Sequence, residues 1–291
     1  MKSFKARLCA LLAALMLASP VQARHVTLGY VDLSFYEVTA ALVQHMLERM
    51  GYNVALQAGS HSQIYPKLGA GEIDLFVAAW LPNTHQVYWE EHQQNLFRVT
   101  RLYEGARLFW AVPAYVPETE VKSVADLTKP SVAQRMVKTI RGPGADSGLM
   151  IRSKSVFETY ALDAAGYELA PGKAADWIDA FNRNIADEKW FVMPLWRPQY
   201  LNRVAELRIL EEPNKLLGEA DSAYLVAHNN IRNTLGKRPL NVLGRMELWI
   251  KAVEDMEYLM KVRNMSARDA ARQWLAADPN TVEYRLEPEE D

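Results

Sequence analysis

A buried strand that ends in a tryptophan and a proline is the strongest structural signal in this 291-residue chain. Residues 73–79 are apolar or small except for Asp74, which is typical of a strand covered on both faces. Trp80, Leu81 and Pro82 follow directly. Proline cannot donate to a strand ladder and restricts the residue before it, so the strand is predicted to stop here with Trp80 at its carboxyl end. Open α/β sheets bind ligands at that end.

The same arrangement occurs a second time, far along the chain. Residues 190–199 (WFVMPLWRPQ) form another apolar run that ends in Trp196 and then Pro198. A tryptophan at a strand end can simply plug the end of a sheet. Two such strands instead favour a pair of rings, Trp80 and Trp196, that face each other across a cleft.

The first segment after residue 23 predicts a parallel βαβ unit. Residues 25–31 alternate as a strand does, and residues 53–57 read as the next strand. Between them, apolar residues recur at helical spacing at Val38, Leu42, Met46 and Met50. Gly51 then suits a left-handed helix cap. Strand, helix and strand in this order are the building unit of a parallel sheet.

The loop at residues 32–36 precedes this helix. Asp32 or Ser34 stands where a helix N-cap is expected, and free backbone amides in the loop can hold an anion. An ordinary cap with no ligand is the alternative.

A glycine-rich turn at residues 142–148 (GPGADSG) follows a strand predicted at residues 136–141. It does not match the dinucleotide-binding fingerprint, because the third glycine is misplaced. The turn exposes backbone amides. Both a pocket wall that includes Gly144 and a plain tight turn remain open.

Other prominent residues are interpreted as structural. Trp177 begins an i, i+4, i+8 apolar stripe in a helix predicted at residues 174–188, so we expect it in the core. Asn83 and Thr84 are expected to cap the helix that follows. His85 and His92 are expected to be solvated or capping residues, since two histidines seven apart do not make a metal site without further ligands.

The first 23 residues have the pattern of a secretory signal: early basic residues, an apolar stretch, and small residues before a cleavage site after Ala23. Cys9, the single cysteine, lies within that segment and too near its charged end to suggest a lipid anchor. The exported chain is therefore expected to have no disulfide, which suits a bacterial periplasm. A net charge of −2 gives no reason to expect nucleic acid or an anionic membrane as a partner.

Several segments together resemble the glycine betaine, choline and proline-betaine binding proteins of ABC transporters, over nearly the whole chain after residue 23. The segments are residues 71–85 (GEIDLFVAAWLPNTH), 104–116 (EGARLFWAVPAYV), 140–144 (IRGPG), 189–199 (KWFVMPLWRPQ) and 207–213 (LRILEEP). The first and fourth are the more specific when they occur together.

The resemblance implies an α/β fold of the two-lobed periplasmic binding protein type (type II), with a mostly parallel sheet flanked by helices in each lobe and two hinge strands between the lobes. It divides the chain into a signal peptide (1–23), the first part of lobe I (24–112), lobe II (113–212) and the C-terminal completion of lobe I (213–291). It also implies a periplasmic, monomeric binding protein without cofactor or metal. Such a protein delivers a quaternary amine, for example glycine betaine as an osmoprotectant, to a membrane permease.

The family holds its cation between aromatic rings, and Trp80 and Trp196 match the tryptophans of that cage. The first loop supplies further candidates for the site, with backbone amides for an anionic ligand end: Leu33, Ser34, Phe35 and Tyr36. The chain departs from the family pattern at four positions, which leaves the remaining cage residues unassigned. Leu33 replaces an aromatic residue, Gln199 replaces a histidine, Leu108 replaces a tyrosine of some choline binders, and Arg197 adds a cation next to the cage.

The sequence also bears on two other functional classes, an exported hydrolase and a ligand sensor. An exported hydrolase is disfavoured, because the chain contains no Gly-x-Ser-x-Gly, no His-Glu-x-x-His and no cysteine after Cys9. A ligand sensor that docks on a membrane receptor has the same sequence features as a transport protein, so that alternative stays open.

Overall fold

The computed structural model describes residues 24–277. The predicted signal peptide and the acidic C-terminal end lie outside the described residues. The strands are β1 (His25–Val31), β2 (Asn53–Gly59), β3 (Leu75–Leu81), β4 (Leu96–Pro113), β5 (Thr139–Gly142), β6 (Glu168–Pro171), β7 (Met193–Arg197), β8 (Leu207–Ile209) and β9 (Asp221–His228).

The helices alternate with these strands in the first two thirds of the chain and then follow one another. They are α1 (Ser34–Arg49), α2 (His61–Ala70), α3 (Gln86–His92), α4 (Pro130–Ala133), α5 (Gly148–Thr159), α6 (Ala174–Ala186), α7 (Leu201–Val204), α8 (Ile231–Leu235), α9 (Lys237–Gly244), α10 (Ile250–Val262) and α11 (Ala267–Ala277). Short 3₁₀ turns occupy Gln93–Asn95 and Val124–Thr128. No helix among residues 24–277 is both long and apolar enough to cross a membrane.

The first lobe is built on a sheet with the strand order β2-β1-β3-β9-β4. β1 pairs in parallel with β2 and with β3, as the βαβ pattern predicted. All seven residues of β3 are buried, because strands cover both of its edges and helices cover both faces. Helices α10 and α11 pack on α1, so the C-terminal helices complete this lobe.

Strand β4 passes from the first lobe into the second. Its residues 96–106 pair with β9, and its residues 107–113 pair with β7 and β8. Gly105 lies just before the switch, with φ +76°, and the ladder with β9 shifts register between Glu104 and Ala106. A residue without Cβ adopts that conformation at little cost. The chain returns through residues 210–220, between β8 and β9.

The α/β fold is confirmed, but the prediction of mostly parallel sheets needs correction. Only the pairs β1–β2, β1–β3 and β5–β6 are parallel among the described ladders, and every pair made by β4 or β9 with another strand is antiparallel. The physical reason is that the chain crosses from one lobe to the other and back. The strand that leaves a lobe lies beside the strand that returns, and the two run in opposite directions. The predicted lobe boundary at 112/113 falls at the end of β4. The boundary at 212/213 falls within residues 210–220, where the chain returns to the first lobe.

Two predicted helix caps are wrong. Helix α1 begins at Ser34, and its N-cap Leu33 makes no side-chain cap bond. Ser34 instead donates its hydroxyl to Glu257, 2.6 Å away. Helix α3 has His85 as its N-cap, also without a side-chain bond.

Asn83 and Thr84, the residues predicted to cap α3, are held by the buried carboxylate of Asp221 at the start of β9. One oxygen accepts from the backbone N–H and Nδ2 of Asn83 at 2.6 and 3.1 Å. The other accepts from the backbone N–H and hydroxyl of Thr84 at 2.9 and 2.5 Å. A single side chain thus satisfies four donors in the turn after Trp80, and it ties that turn to the neighbouring strand.

We predict that Asp221→Ala lowers the free energy of unfolding by about 2 to 4 kcal/mol, because it leaves buried donors of Asn83 and Thr84 without an acceptor. Urea denaturation measures this change. Glu219→Ala, two residues earlier and in an exposed ion pair with Lys215, is the matched control and should change stability little. Equal stability of the two variants would contradict the assigned role of Asp221.

Candidate functional site

The two tryptophans singled out by sequence lie at the ends of β3 and β7 and line one small cavity between the lobes. Trp80 is 2% exposed and Trp196 is 3% exposed. The cavity has a volume of about 20 Å³, room for one water-sized body. The first lobe lines it with Leu33, Phe35, Tyr36, His61, Trp80, Thr84 and His85. Leu108 on β4 and the second-lobe residues Pro143, Ser147, Gly148, Leu149 and Trp196 complete the wall.

Phe35 lies between the two tryptophans. Its ring centroid is 5.6 Å from that of Trp80 and 5.6 Å from that of Trp196. Tyr36 packs beside it, 3.9 Å from Phe35 and 6.3 Å from Trp80. We call Phe35, Tyr36, Trp80 and Trp196 the aromatic cluster. Rings from three separate segments and both lobes therefore meet at one point, an arrangement that can surround a cation with aromatic faces.

Trp80 is held at its ring nitrogen and at its backbone. The indole Nε1–H donates to the hydroxyl of Tyr103, 3.1 Å away, and the backbone N–H donates to Nδ1 of His85, also at 3.1 Å. The ring of His85 stacks on the indole with an interplanar angle of 16°. These contacts hold Trp80 in one orientation in the wall of the cavity.

His85 is fully buried, so the expectation that it is solvated is wrong, whereas the alternative expectation of a capping position is met, since His85 is the N-cap of α3. Its Nδ1 accepts from Trp80 and lies 3.0 Å from the hydroxyl of Tyr65, so the proton of the neutral ring is on Nε2. That Nε2 lies 3.2 Å from Nε2 of His61 and 3.4 Å from the hydroxyl of Tyr36. The sequence signal was weak, because a histidine after a turn is usually exposed.

Both histidines are neutral at physiological pH. Burial lowers the pKa of His61 to about 4. Burial, and then the nearby His61, lower the pKa of His85 well below its usual range. Two protonated rings this close would repel each other as well as lose hydration. The wall of the cavity beside Trp80 therefore carries no positive charge that would oppose a cationic ligand.

Trp196 is supported from behind by Trp177. The two rings meet edge to face with their centroids 5.6 Å apart, and Trp177 is itself 2% exposed. Trp177 therefore lies in the core, as expected, but it also backs the aromatic cluster. The backbone carbonyl of Trp196 accepts from Asn202 at 3.0 Å. The indole Nε1 of Trp196 is buried without a hydrogen-bond partner among residues 24–277.

The glycine-rich turn and the start of α5 form the second-lobe wall. Ser147 is the N-cap, and its hydroxyl accepts from the amide of Met150 at 3.2 Å. The amides of Gly148 and Leu149 have no partner within the helix, as in any first turn, and both residues line the cavity. Of the two alternatives for this turn, the structure matches the pocket wall.

A wider cleft of about 700 Å³ adjoins the cavity and shares Leu33, His61, Pro143 and Ser147 with it. Gly144, a predicted site residue, lines this cleft and not the inner cavity.

The lobes touch along the rim of the cleft. The carboxylate of Asp146 in the second lobe accepts from the amide and hydroxyl of Ser62 at 3.0 and 2.8 Å. The hydroxyl of Tyr88 donates to the backbone carbonyl of Asp146 at 2.6 Å. Arg152 donates to the carbonyl of Asn83 at 3.0 Å. This is a closed arrangement of the two lobes.

Three other predicted site residues lie outside the wall of the inner cavity. Ser34 turns its hydroxyl to Glu257. Gln199 is buried, and its side-chain carbonyl accepts from the amide of Leu201 at 3.2 Å. Arg197 is half-buried and is not among the residues that line the inner cavity. Its charge partly offsets the burial that raises the pKa of Glu254.

Most amides of the loop at residues 32–36 are already engaged. Those of Asp32, Leu33 and Tyr36 donate to the carbonyls of Gly59, Val31 and Leu33. The amides of Ser34 and Phe35 remain, as the first two of α1.

Comparison with known proteins agrees with this architecture. Residues 24–277 match the family described as the substrate binding domain of the ABC-type glycine betaine transport system. The glycine betaine/carnitine transport binding protein GbuC of Listeria monocytogenes is 22% identical over 156 residues, 53% of this chain. That match spans 51%, about half, of the length of the Listeria protein.

Solved structures share the fold at low identity. Lactococcal OpuAC, in a closed conformation complexed with glycine betaine, has a TM-score of 0.80 and 21% identity, and the match covers 91% of this chain and 100% of that one. The ProX protein of Borrelia burgdorferi has a TM-score of 0.82 and 21% identity, with 91% and 97% covered. A choline binding protein in complex with choline has a TM-score of 0.80 and 18% identity, with 92% and 93% covered.

At these identities the likeness to solved structures shows the fold alone, a two-lobed binding protein of type II. The family match spans every described residue of the chain, including both tryptophan-bearing strands and the helices that complete the first lobe. This chain belongs to the family of substrate binding domains of ABC-type glycine betaine transport systems.

Proposed function

We propose that this chain captures a quaternary ammonium compound of the glycine betaine type between its lobes and delivers it to the permease of an ABC transporter. The observation that carries the proposal is the aromatic cluster, which is assembled from both lobes and buried. A quaternary ammonium has no N–H to donate, so hydrogen bonds cannot select it. Aromatic faces attract it by roughly 0.5 to 2 kcal/mol each.

The neutral histidine pair supports the same proposal. His61 and His85 keep the polar base of the cluster uncharged, and the described side chains that line the inner cavity include no lysine or arginine. A cation entering the cavity would therefore meet ring faces and neutral dipoles.

An anionic ligand end would fit the second-lobe wall. The free amides of Gly148 and Leu149 lie at the positive end of the α5 dipole, which favours a carboxylate. The amides of Ser34 and Phe35 are the alternative, as expected from sequence. Arg197 has no part in this version of the site because it does not line the inner cavity. We propose that zwitterions with a carboxylate, such as glycine betaine, carnitine and proline betaine, bind better than choline.

We also propose that the chain acts in the periplasm after cleavage near Ala23, and that the lobes divide as predicted, at residues 112/113 and 212/213. The family match begins at residue 24, directly after the predicted cleavage site, which supports the first point. The switch of β4 partners between residues 106 and 107 supports a hinge at the first boundary.

We predict that Trp80→Ala and Trp196→Ala each weaken binding of glycine betaine by about 1 to 2 kcal/mol or more, because each removes one aromatic face. Isothermal titration calorimetry with glycine betaine, carnitine, proline betaine, choline and unmethylated glycine measures the effect. Trp190→Ala is the control: this second-lobe tryptophan is half-buried, stacks on Arg135 and lies outside the cavity. It should leave affinity unchanged.

Binding of glycine but of no methylated ammonium compound would refute the aromatic site. Tight binding of choline without any response to the betaines would refute only the preference for a carboxylate. Trp177→Ala is unsuitable as a control, because Trp177 packs against Trp196 and its loss should reduce both stability and affinity.

We further predict that Gly148→Ala blocks closure. A Cβ at this position would lie 2.4 Å from the backbone carbonyl oxygen of Thr84 and 2.5 Å from its Cγ2, across the gap between the lobes. Alanine suits the first turn of a helix, so the second lobe should fold normally. The lobes must therefore stay apart, and affinity for glycine betaine should fall by about tenfold or more, equal to about 1.4 kcal/mol.

Calorimetry and small-angle scattering with saturating ligand test this prediction. Gly172→Ala is the matched control, since a Cβ there lies in open space at the cleft, 4.0 Å from the nearest atom, an Asp176 oxygen. Normal affinity and normal compaction of Gly148→Ala would show that the lobes need not approach this closely.

A further inference from the structure

Glu257 is a buried carboxyl that the ligand site as described does not use. It lies on α10 and is 0% exposed. One of its oxygens accepts from the hydroxyl of Ser34 at 2.6 Å, and the other accepts from the backbone amide of Tyr200 at 2.7 Å. Both oxygens are therefore engaged, each by a different segment of the chain.

These two segments carry rings of the aromatic cluster. Ser34 is the first residue of α1 and precedes Phe35. Tyr200 follows the end of β7 by three residues and Trp196 by four. Phe35 and Trp196 are the pair of rings, 5.6 Å apart, that joins the first-lobe part of the cluster to the second-lobe part. One carboxyl group thus binds the side chain of the residue before Phe35 and the backbone amide of the residue four after Trp196.

The same helix holds the segment after Trp196 at further points. Arg203 pairs with Asp255 at 2.5 Å and lies over the ring of Tyr258 at 4.4 Å. Glu257 is the one of these groups that also reaches α1.

We propose that Glu257 is a positioning residue of the ligand site, which joins the segment carrying Phe35 to the segment carrying Trp196 and so sets the spacing of the aromatic cluster. The inference rests on the proposed function, because spacing of the rings matters for binding only if the cluster holds a ligand. A leucine could fill the same volume without the cost of burying a carboxyl, but it could not bind both segments.

The protonation state of Glu257 suits this role. Burial raises its pKa to about 8, while hydrogen bonds from Ser34 and Tyr200 and the charge of Lys261 lower it in part. The other titratable groups that face it are Glu254 on the same helix, Tyr103 on β4 and Tyr200 itself. At neutral pH the group is therefore mostly a neutral acid. In this neutral form its carbonyl oxygen accepts from the Tyr200 amide, and its hydroxyl donates to the Ser34 oxygen, which reverses the bond that an ionised carboxylate accepts from Ser34.

Glutamine resembles a protonated glutamate in shape and has both a donor and an acceptor, so a substitution can test the inference. Glu257→Gln keeps a carbonyl for Tyr200 and an amide for Ser34, whereas Glu257→Leu keeps neither. We expect Glu257→Leu to weaken glycine betaine binding by about tenfold or more and Glu257→Gln to stay within about threefold of the unmodified protein. Ser34→Ala, which removes only one of the two bonds, should fall between them.

Met256→Ala is the control for lost stability. Met256 is the neighbouring residue on α10, equally buried but in the apolar core. It should lower the unfolding temperature as a core truncation does, with little change in affinity. If Glu257 were purely structural, Glu257→Leu would behave like Met256→Ala: the unfolding temperature would fall and the affinity would change little. That result would overturn the inference.

Near-ultraviolet circular dichroism gives a readout that needs no ligand. The packing of Phe35, Trp80 and Trp196 should produce a signal that changes in Glu257→Leu, returns in Glu257→Gln and persists in Met256→Ala. Failure of the unmodified protein to bind any quaternary amine would overturn the proposed function. An unchanged spectrum and unchanged affinity in Glu257→Leu would overturn the role of Glu257.

A pH profile of unfolding separates the acid from its mimic. The folded protein keeps the Glu257 proton up to about pH 8, while the unfolded chain releases it near the usual value of 4.5. Unfolding then releases a proton between these values, so the contribution of this group to stability falls as the pH rises from about 4.5 to about 8. As the pH rises across this range, Glu257→Gln should gain stability relative to the unmodified protein. If the unfolding free energies of the two proteins changed equally with pH, the result would argue against a buried acid at this position.

Discussion

The contact of Phe35 with both Trp80 and Trp196 is the interaction on which the site depends. The three rings come from the start of α1, the end of β3 and the end of β7, and each ring has almost no exposure. Aromatic rings attract a cation only through their faces, so several faces must surround it from different directions. No single strand or helix can supply such a set. The two-lobed fold brings it together by directing separate strand ends toward one cleft.

Holding large rings at the end of a sheet requires polar anchors around them. Trp80 is fixed by Tyr103 and His85, and the turn that follows it is fixed by Asp221. His61 and His85 stay neutral because burial makes their protonated forms unfavourable. Glu257, also buried, stays mostly protonated at neutral pH for the same reason. The surroundings of the aromatic cluster are thus rich in hydrogen bonds, and the described residues that line the inner cavity carry no positive charge, which suits a ligand whose cation must not meet a competing cation.

The two lobes approach each other very closely at the backbone of Gly148. At Gly148 the second lobe approaches the carbonyl of Thr84 so closely that no Cβ fits between them. The rim bonds of Asp146 with Ser62 and Tyr88 form in the same closed arrangement. This close approach brings the start of α5 against the first lobe, and Gly148 and Leu149 line the cavity there. The geometry of the closed state and the polar wall of the site are therefore set by the same residues.

Local signals were sufficient to predict the elements that carry the site. Buried strands ending at Trp80 and Trp196 can be read from an apolar run followed by proline, because both features act within a few residues. The βαβ unit and the core position of Trp177 follow from periodicity in the same way. That Ser34 does not cap α1 could not be predicted, since its hydroxyl bonds to Glu257, more than two hundred residues away in sequence. Nor could local signals predict the roles of Asn83 and Thr84, because the carboxylate of Asp221, on another strand, binds both residues.

Sequence alone determined which residue types stand at the strand ends and that the fold is of the α/β class, because apolar patterning and proline geometry are local properties. Tertiary structure decided which of those residues meet. It placed Phe35 between the tryptophans, left Arg197, Gln199 and Ser34 out of the wall of the inner cavity, and buried His85, which was expected to be solvated or capping. It also made the sheets mixed, because a chain that crosses between two lobes must return beside itself. Each of these outcomes depends on contacts between distant segments, and the free energy of such contacts exists only once the chain has folded.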